Sequence, residues 1–180
     1  MEKIHNNLNI ENLIKTEWFN QFSNLQKISI IYGLKDNVDV SIYAKKEFQF
    51  HQMEEIREGL KSDLDVKYYL NPKFTEDQMY QIRLGLLRNS DVSKYANPKF
   101  NEYQMEEIRL GLIDHLEISW YANPKFSNEQ MRFIREELEC NQDVSLFANP
   151  EFTLEEMKSI AFCLENEVDI LKLAKKIKKL

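Results

Sequence analysis

From residue 22 to residue 177 the pattern of apolar and polar positions repeats at one constant spacing with no insertion, each copy opening on a phenylalanine: Phe22, Phe48, Phe74, Phe100, Phe126 and Phe152. A fixed period between 20 and 50 residues is the mark of a repeat architecture. Aligned with itself, the chain shows what each position does. After the phenylalanine stands a capping residue (Ser23, Thr75, Asn101, Ser127, Thr153), and three residues on stands Gln or Glu (Gln26, Gln78, Gln104, Gln130, Glu156). This is a capping box, in which the two side chains satisfy each other's orphan backbone N–H groups. Next comes Met (Met53, Met79, Met105, Met131, Met157), placed to touch the phenylalanine before the cap. Apolar residues then follow at helical spacing, as in Met79, Ile82 and Leu86, which predicts a helix over residues 76–87 and its equivalents.

The second half of each copy predicts a shorter helix. An acidic residue (Asp39, Asp65, Asp91, Glu117, Asp143, Asp169) precedes apolar positions three and four apart, and a carboxylate is favourable at a helix N-terminus. Pro72, Pro98, Pro124 and Pro150, each after an Asn, then stop the helix, because proline disfavours the α region in the residue before it. All four glycines (Gly33, Gly59, Gly85, Gly111) share one position inside the first helix. Glycine there costs about 1 kcal/mol relative to Ala, so the expectation is that a neighbouring backbone passes too close for a Cβ. The position becomes Glu137 and Cys163 in the last two copies.

The fold expected is therefore all-α: an α-solenoid of six 26-residue helix-turn-helix repeats (22–47, 48–73, 74–99, 100–125, 126–151 and 152–177). Residues 1–21 read as an N-terminal capping helix, since a stacked array needs an atypical end to cover its first unit. The last copy has no proline corner, and Ile170, Leu171, Ala174 and Ile177 predict a second helix extended toward the C-terminus, ahead of a basic tail at 178–180.

Composition narrows the function. No apolar run approaches the ~18 residues of a membrane span, and the first residues lack a signal-peptide core, which predicts a cytoplasmic protein. Cys140 and Cys163 occupy different positions of the repeat and read as free thiols. Before residue 172 there are 19 basic against 30 acidic side chains, and five lysines follow from 172 to 180. An acidic body is a poor general ligand for phosphate backbones. Lysines near a helix C-terminus are favourable for the helix dipole in any case. His5, His51 and His115 do not pair at metal-ligand spacing, and there is no phosphate-binding glycine loop or nucleophile motif. Polar residues with fixed positions recur in every copy, whereas catalysis needs unique residues converging in one pocket. The chain reads as non-enzymatic, with no cofactor and no metal.

Two surfaces are candidates. Arg57, Arg83, Arg109 and Arg135 form one column, a ladder that either grips anions or pairs with the acidic residues before the second helix and fixes the stacking. The outward side of the first helix is polar in the second and fifth copies (Glu54, Glu58, Lys61; Arg132, Glu136, Glu139). It is more apolar in the third (Tyr80, Leu84, Leu87) and fourth (Glu106, Leu110, Ile113), and Trp120 replaces a lysine nearby. An apolar patch with a charged rim suits a protein partner. The other reading is that these residues fill the interface between successive helices.

The phrases Gln-Met-x-x-Ile-Arg-x-Gly-Leu and Asp-Val-Ser-x-Tyr-Ala-Asn-Pro-Lys-Phe, over residues 22 to about 174, resemble a short tandem repeat of proteins from bacterial mobile elements and phages, especially of Firmicutes-type hosts. The resemblance implies an accessory or counter-defence protein that binds and blocks a host protein or nucleoprotein, and it supplies no catalytic residues. The function expected is a non-catalytic protein-binding scaffold acting as a monomer or weak homo-oligomer. The alternatives are a nucleic-acid binder using the Arg ladder and Lys tail, or a nucleic-acid mimic presenting Glu54, Glu58, Glu106, Glu107, Glu136 and Glu137.

Overall fold

Each capping box starts a helix where the spacing places it. The structure is a computed structural model that describes residues 10–166, and among these residues every regular element is helical. Two single turns come first, α1 (Ile10–Leu13) and α2 (Glu17–Asn20). Six longer helices of equal length follow: α3 (Asn24–Lys35), α4 (Phe50–Lys61), α5 (Glu76–Leu87), α6 (Glu102–Ile113), α7 (Asn128–Glu139) and α8 (Leu154–Glu165). The chain divides into two compact units, residues 1–98 and 99–180. In the first, α3 packs on α4 and α4 on α5; in the second, α6 packs on α7 and α7 on α8. No helix among the described residues is long and apolar enough to cross a membrane.

The capping glutamine does more than close its own helix. In α6, Gln104 Oε1 accepts the Asn101 N–H at 2.9 Å, and its Nε2 donates forward to the Phe126 carbonyl at 2.6 Å and the Pro124 carbonyl at 3.3 Å. Gln26, Gln52 and Gln130 donate in the same way to Phe48, Phe74 and Phe152. One amide thus ties the start of its helix to the corner that opens the next copy. Glu156 takes this position in α8, accepts from the Thr153 N–H at 2.7 Å, and has no side-chain N–H to pass forward.

Two expectations are corrected. The N-terminal stretch is not one helix. Thr16 breaks it, donating its hydroxyl to the Leu13 carbonyl at 2.7 Å and capping α2 through the Phe19 N–H. The second helix is a single 3₁₀ turn in the first four copies: Val40–Ile42, Val66–Tyr68, Val92–Lys94 and Ile118–Trp120. In the fifth it is a bare turn at 145–147. The acidic residue still caps it, Asp39 accepting from the Ser41 N–H at 3.0 Å. The element is short with proline at the corner and equally short in the first copy, where Lys45-Lys46 stands in place of Asn-Pro and the Phe48 N–H still closes on the Lys45 carbonyl. At the corner the side chains of Asn71, Asn123 and Asn149 accept the N–H two residues on, and the backbone carbonyl of the same Asn accepts the N–H of the following Phe. This turn leaves no room for a second α-helical turn. In the last copy the expected C-terminal helix and the basic tail lie outside the described residues.

The glycine position is corrected as well. A Cβ on Gly111 would lie 1.8 Å from the Tyr121 hydroxyl, and the same holds at 1.8 to 1.9 Å for Gly33 with Tyr43, Gly59 with Tyr69 and Gly85 with Tyr95. The close neighbour is a tyrosine hydroxyl from the copy's own 3₁₀ turn, not a backbone. All four tyrosines are fully buried. Their hydroxyls donate to the helix carbonyls of Ser29, Glu55, Gln81 and Glu107 at 3.2 to 3.4 Å. With the buried Phe, Met and Ile positions they make a ladder of core side chains, each of which contributes about 1.5–3 kcal/mol by leaving water.

Beyond the C-cap, helices α3 to α7 each lead into a residue of positive φ: Asn37, Asp63, Asn89, His115 and Asn141, at 53° to 61°. These polar residues stand where a helix end commonly uses glycine. They return the backbone N–H of the next residue to the helix, as Leu116 N–H does to the Gly111 carbonyl at 2.8 Å.

Candidate protein-binding faces and the arginine ladder

The orientation of each helix follows from its glycine, which faces the buried turn. At about 100° per residue, Tyr80 and Leu87 of α5 point away from Gly85, and Leu84 lies at the flank between the two sides. In unit 1, Tyr80 and Leu87 are 42% and 46% exposed, and Leu84 is half-buried. In unit 2, Ile113 is exposed and Leu110 half-buried, and Tyr103, two turns back from Leu110 on the same stripe, is exposed too. Tyr80, Leu84 and Leu87 belong to the first unit, and Leu110, Ile113 and Trp120 to the second. Within the second unit Trp120 is exposed and stands on the turn that carries Tyr121 under the buried side of α6.

Sequence reasoning missed several exposed apolar residues on this outward side: Leu25, Ile28 and Tyr32 in α3, Tyr103 in α6 and Phe162 in α8. Ile28, Tyr32 and Phe162 occupy the stripe positions of the first and last copies, and Leu25 and Tyr103 occupy a position one turn earlier. Tyr32 and Tyr80 each sit beside a guanidinium, with Arg57 over Tyr32 at 5.8 Å and Arg83 over Tyr80 at 5.3 Å.

The arginines are mostly buried along their side chains and face carboxylates. Arg57 pairs with Asp36 at the end of α3 and with Glu54 and Glu58 of its own helix. Arg83 reaches Glu55 of α4 at 2.7 Å. Arg135 reaches Glu107 of α6 at 2.8 Å and pairs with Glu139, while Arg132 also reaches Glu107 at 3.0 Å. Arg109 lies 3.8 Å from Glu106. The carboxylates that meet the ladder therefore come from the first helix and its C-terminus, not from the acidic column before the second, whose Asp39 and Asp143 bond backbone N–H groups. Burial opposes the charge on Arg57, but the Glu54 and Asp36 carboxylates more than offset it and hold the group well above the ordinary guanidinium value. Glu107 is 3% exposed, and removing it would leave the mostly buried Arg135 with Glu139 alone and release the half-exposed Arg132 to water. Of the six acids that could mimic nucleic acid, Glu54, Glu58, Glu106 and Glu107 thus lie in ion pairs.

The seam between α7 and α8 departs from this plan in two coordinated ways. The arginine of the last copy is Ala161, and the position that supplies Glu55 or Glu107 elsewhere is Phe133. The glycine is Glu137, and the tyrosine whose hydroxyl it would meet is Phe147. Phe133 and Phe147 meet at 5.5 Å between ring centroids. A cavity of about 230 Å³ opens on one side of this seam, lined by Glu137, Asp143, Phe147, Ala161, Leu164 and Glu165 together with Gln142. Burial, and then the Glu165 and Glu136 carboxylates, push the Glu137 carboxyl above its ordinary value. A second hollow of about 210 Å³ lies on the outward side, with Phe133 and Leu154 among Glu129, Glu136, Arg132 and Lys158.

Charge divides unevenly between the units. Residues 10–98 carry 13 acidic and 12 basic side chains, a net of −1, whereas residues 99–166 carry 14 and 6, a net of −8. Among the described residues no group of three or more His, Cys, Asp or Glu side chains is gathered as a metal-ligand set. Comparison with protein-family models, with curated proteins and with solved structures finds no match.

Proposed function

We propose that the chain is a non-catalytic protein-binding scaffold, an α-solenoid of six 26-residue repeats in which each α-helix is followed by a short turn. The observation that carries this reading is the contrast between the two sides of the helix. The inward side of α4, α5 and α6 repeats the same Phe, Met, Ile, Gly and Tyr positions, while the outward side changes from apolar to charged from one copy to the next. A surface free to vary over a constant frame is suited to recognition. The exposed Tyr80 and Leu87, and Tyr103 and Ile113, supply the aromatic and aliphatic anchors that protein interfaces use. The motif resemblance favours a host protein as the target, bound and blocked in the cytoplasm.

The test is capture of protein from a lysate of the cell that carries the gene, on the immobilised chain and on two variants, Tyr80→Ser with Leu87→Ser and Tyr103→Ser with Ile113→Ser. Loss of a captured protein in either variant, at unchanged helical circular dichroism, is the expected result. Retention of nucleic acid alone, released by salt, would transfer the function to the nucleic-acid alternative. A second reading, a nucleic-acid mimic, is favoured by the net charge of −8 in residues 99–166, and it predicts that DNA or RNA competes with the chain for a basic partner.

A further inference from the structure

We infer that the outward face of α6 and α7 seats an amphipathic helix of a partner protein, its apolar side on Tyr103, Leu110 and Ile113 and its lysines or arginines against Glu129 and Glu136. The inference rests on the protein-binding reading and names the partner chemistry of one of its faces.

These two helices pack on each other within the second unit, and their outward sides carry the same four repeat positions. In α6 the positions hold Tyr103, Glu106, Leu110 and Ile113. In α7 they hold Glu129, Arg132, Glu136 and Glu139. Steps of three and four residues keep each set on one stripe along its helix. Tyr103 is 55% exposed, Ile113 is exposed as well, and Leu110 between them is half-buried. At about 1.5 Å per residue, α6 therefore offers an apolar ridge about 15 Å long. Glu106 interrupts it and lies 3.8 Å from Arg109 of its own helix.

The ridge on α7 is charged, and its ion pairs leave a surplus. Arg132 and Arg135 share the buried Glu107, and Arg135 also holds Glu139, so two cations meet two carboxylates. Glu129 and Glu136 are exposed, and among the described residues neither lies in an ion pair. Lys158, which lines the same hollow from α8, pairs with Glu155 at 3.7 Å. The first unit differs, for Glu54 and Glu58 of α4 both pair with Arg57. An apolar ridge beside an acidic one selects a partner with an apolar stripe and a basic flank. Anchors seven and three residues apart on one helix match the spacing of a second helix laid along it. The net charge of −8 over residues 99–166 would also draw such a segment to this unit before it docks.

The probe is a leucine–lysine peptide of about 14 residues, about 21 Å long as a helix, with its leucines at helical spacing. It is titrated into the ¹⁵N-labelled full chain and followed by amide chemical shifts. Its control has the same composition in an order that spreads the leucines round the helix. Shifts centred on Tyr103, Leu110, Ile113, Glu129 and Glu136 are expected, with binding of the control about tenfold weaker. Tyr103→Ser with Ile113→Ser should also lose about tenfold at unchanged helical circular dichroism, whereas Tyr80→Ser with Leu87→Ser, in the first unit, should bind as the parent does. Glu129→Gln with Glu136→Gln should weaken binding at low salt and flatten its salt dependence. Equal binding of both peptides, or binding that survives the Tyr103 and Ile113 changes, would overturn the proposal. So would binding that emerges only when the five lysines between 172 and 180 are replaced by serine, which would assign the face to the chain's own cations. If no peptide binds while the Tyr103 and Ile113 variant still loses a captured protein, the helix assignment falls and the scaffold reading stands.

Discussion

Replacing Gly111 by alanine should destabilise the protein, although in an ordinary helix the same change stabilises by about 1 kcal/mol. The added Cβ would lie 1.8 Å from the Tyr121 hydroxyl, which must move, and 3.1 Å from its Cζ and 3.2 Å from Ile118 Cγ2, which must each give by a few tenths of an ångström. Tyr121 is fully buried and its hydroxyl donates to the Glu107 carbonyl at 3.3 Å. Overpacking costs about 1–3 kcal/mol and the lost hydrogen bond about 1 kcal/mol. Set against the propensity gain, the net loss is about 2 kcal/mol. Tyr121→Phe alone gives up the hydrogen bond, about 1 kcal/mol. In the double variant the hydroxyl clash is gone, only the small adjustments at the ring Cζ and Ile118 remain, and the propensity gain returns, so its stability should be close to that of the parent. The two single losses, about 3 kcal/mol together, would then nearly vanish in combination, a coupling at the upper end of the range for residues in contact. Urea denaturation followed by helical circular dichroism on the four proteins measures this cycle. The reasoning fails if Gly111→Ala is neutral in the tyrosine background, or if the double variant is no more stable than Gly111→Ala.

Four further outcomes follow from three other positions. Gln104→Ala removes both the helix cap and the forward link to Phe126 and should cost about 2 kcal/mol. Gln104→Glu should cost more at pH 7, because a buried carboxylate would face the Phe126 carbonyl, and thermal melts at pH 7 and pH 4 should show the gap narrowing. The carboxyl of Glu137 is raised in the folded state, so its ionisation opposes folding above the folded value, and the penalty fades as pH falls toward the unfolded value near 4.5. Glu137→Gln should therefore raise the melting temperature at pH 7 and leave it unchanged near pH 4; an equal gain at both would refute the assignment. His115 holds φ at 58° at the end of α6. Glycine there relieves backbone strain and loses chain entropy, and His115→Gly should stabilise by about 0.5 kcal/mol in the same denaturation assay.

The first helix of each repeat was legible almost to the residue, because capping box, Met staple and apolar spacing are local features and all agree. The 3₁₀ turn was misjudged for a different reason. Three apolar positions followed by Asn-Pro fit one helical turn or two, and the turn closed by the Asn carbonyl and the Phe N–H decides between them. The glycine position was recognised as crowded, but its neighbour lies on the far side of a polar turn and could not be named from spacing. The correlated change to Glu137 and Phe147 was available as a clue. The partners that Arg57, Arg83 and Arg135 reach on a preceding helix or at its end, Asp36, Glu55 and Glu107, lie beyond any local pattern. The five residues of positive φ went unrecognised because Asn, Asp and His there look like an ordinary polar turn. The apolar stripe was legible in the spacing, but which of its residues reach solvent, as Tyr80 and Leu87 do while Leu84 is half-buried, depends on tertiary placement.

A glutamine amide is an unsymmetrical connector: its oxygen serves the copy it belongs to and its nitrogen serves the one after. The row built from it consequently has a direction, like hooks and eyes all sewn the same way round. Exchanging one NH₂ for an oxygen, as between Gln130 and Glu156, turns a hook that engages its successor into a blunt end. By this chemistry a duplicated copy joins the row in register only if the copy before it still carries the amide.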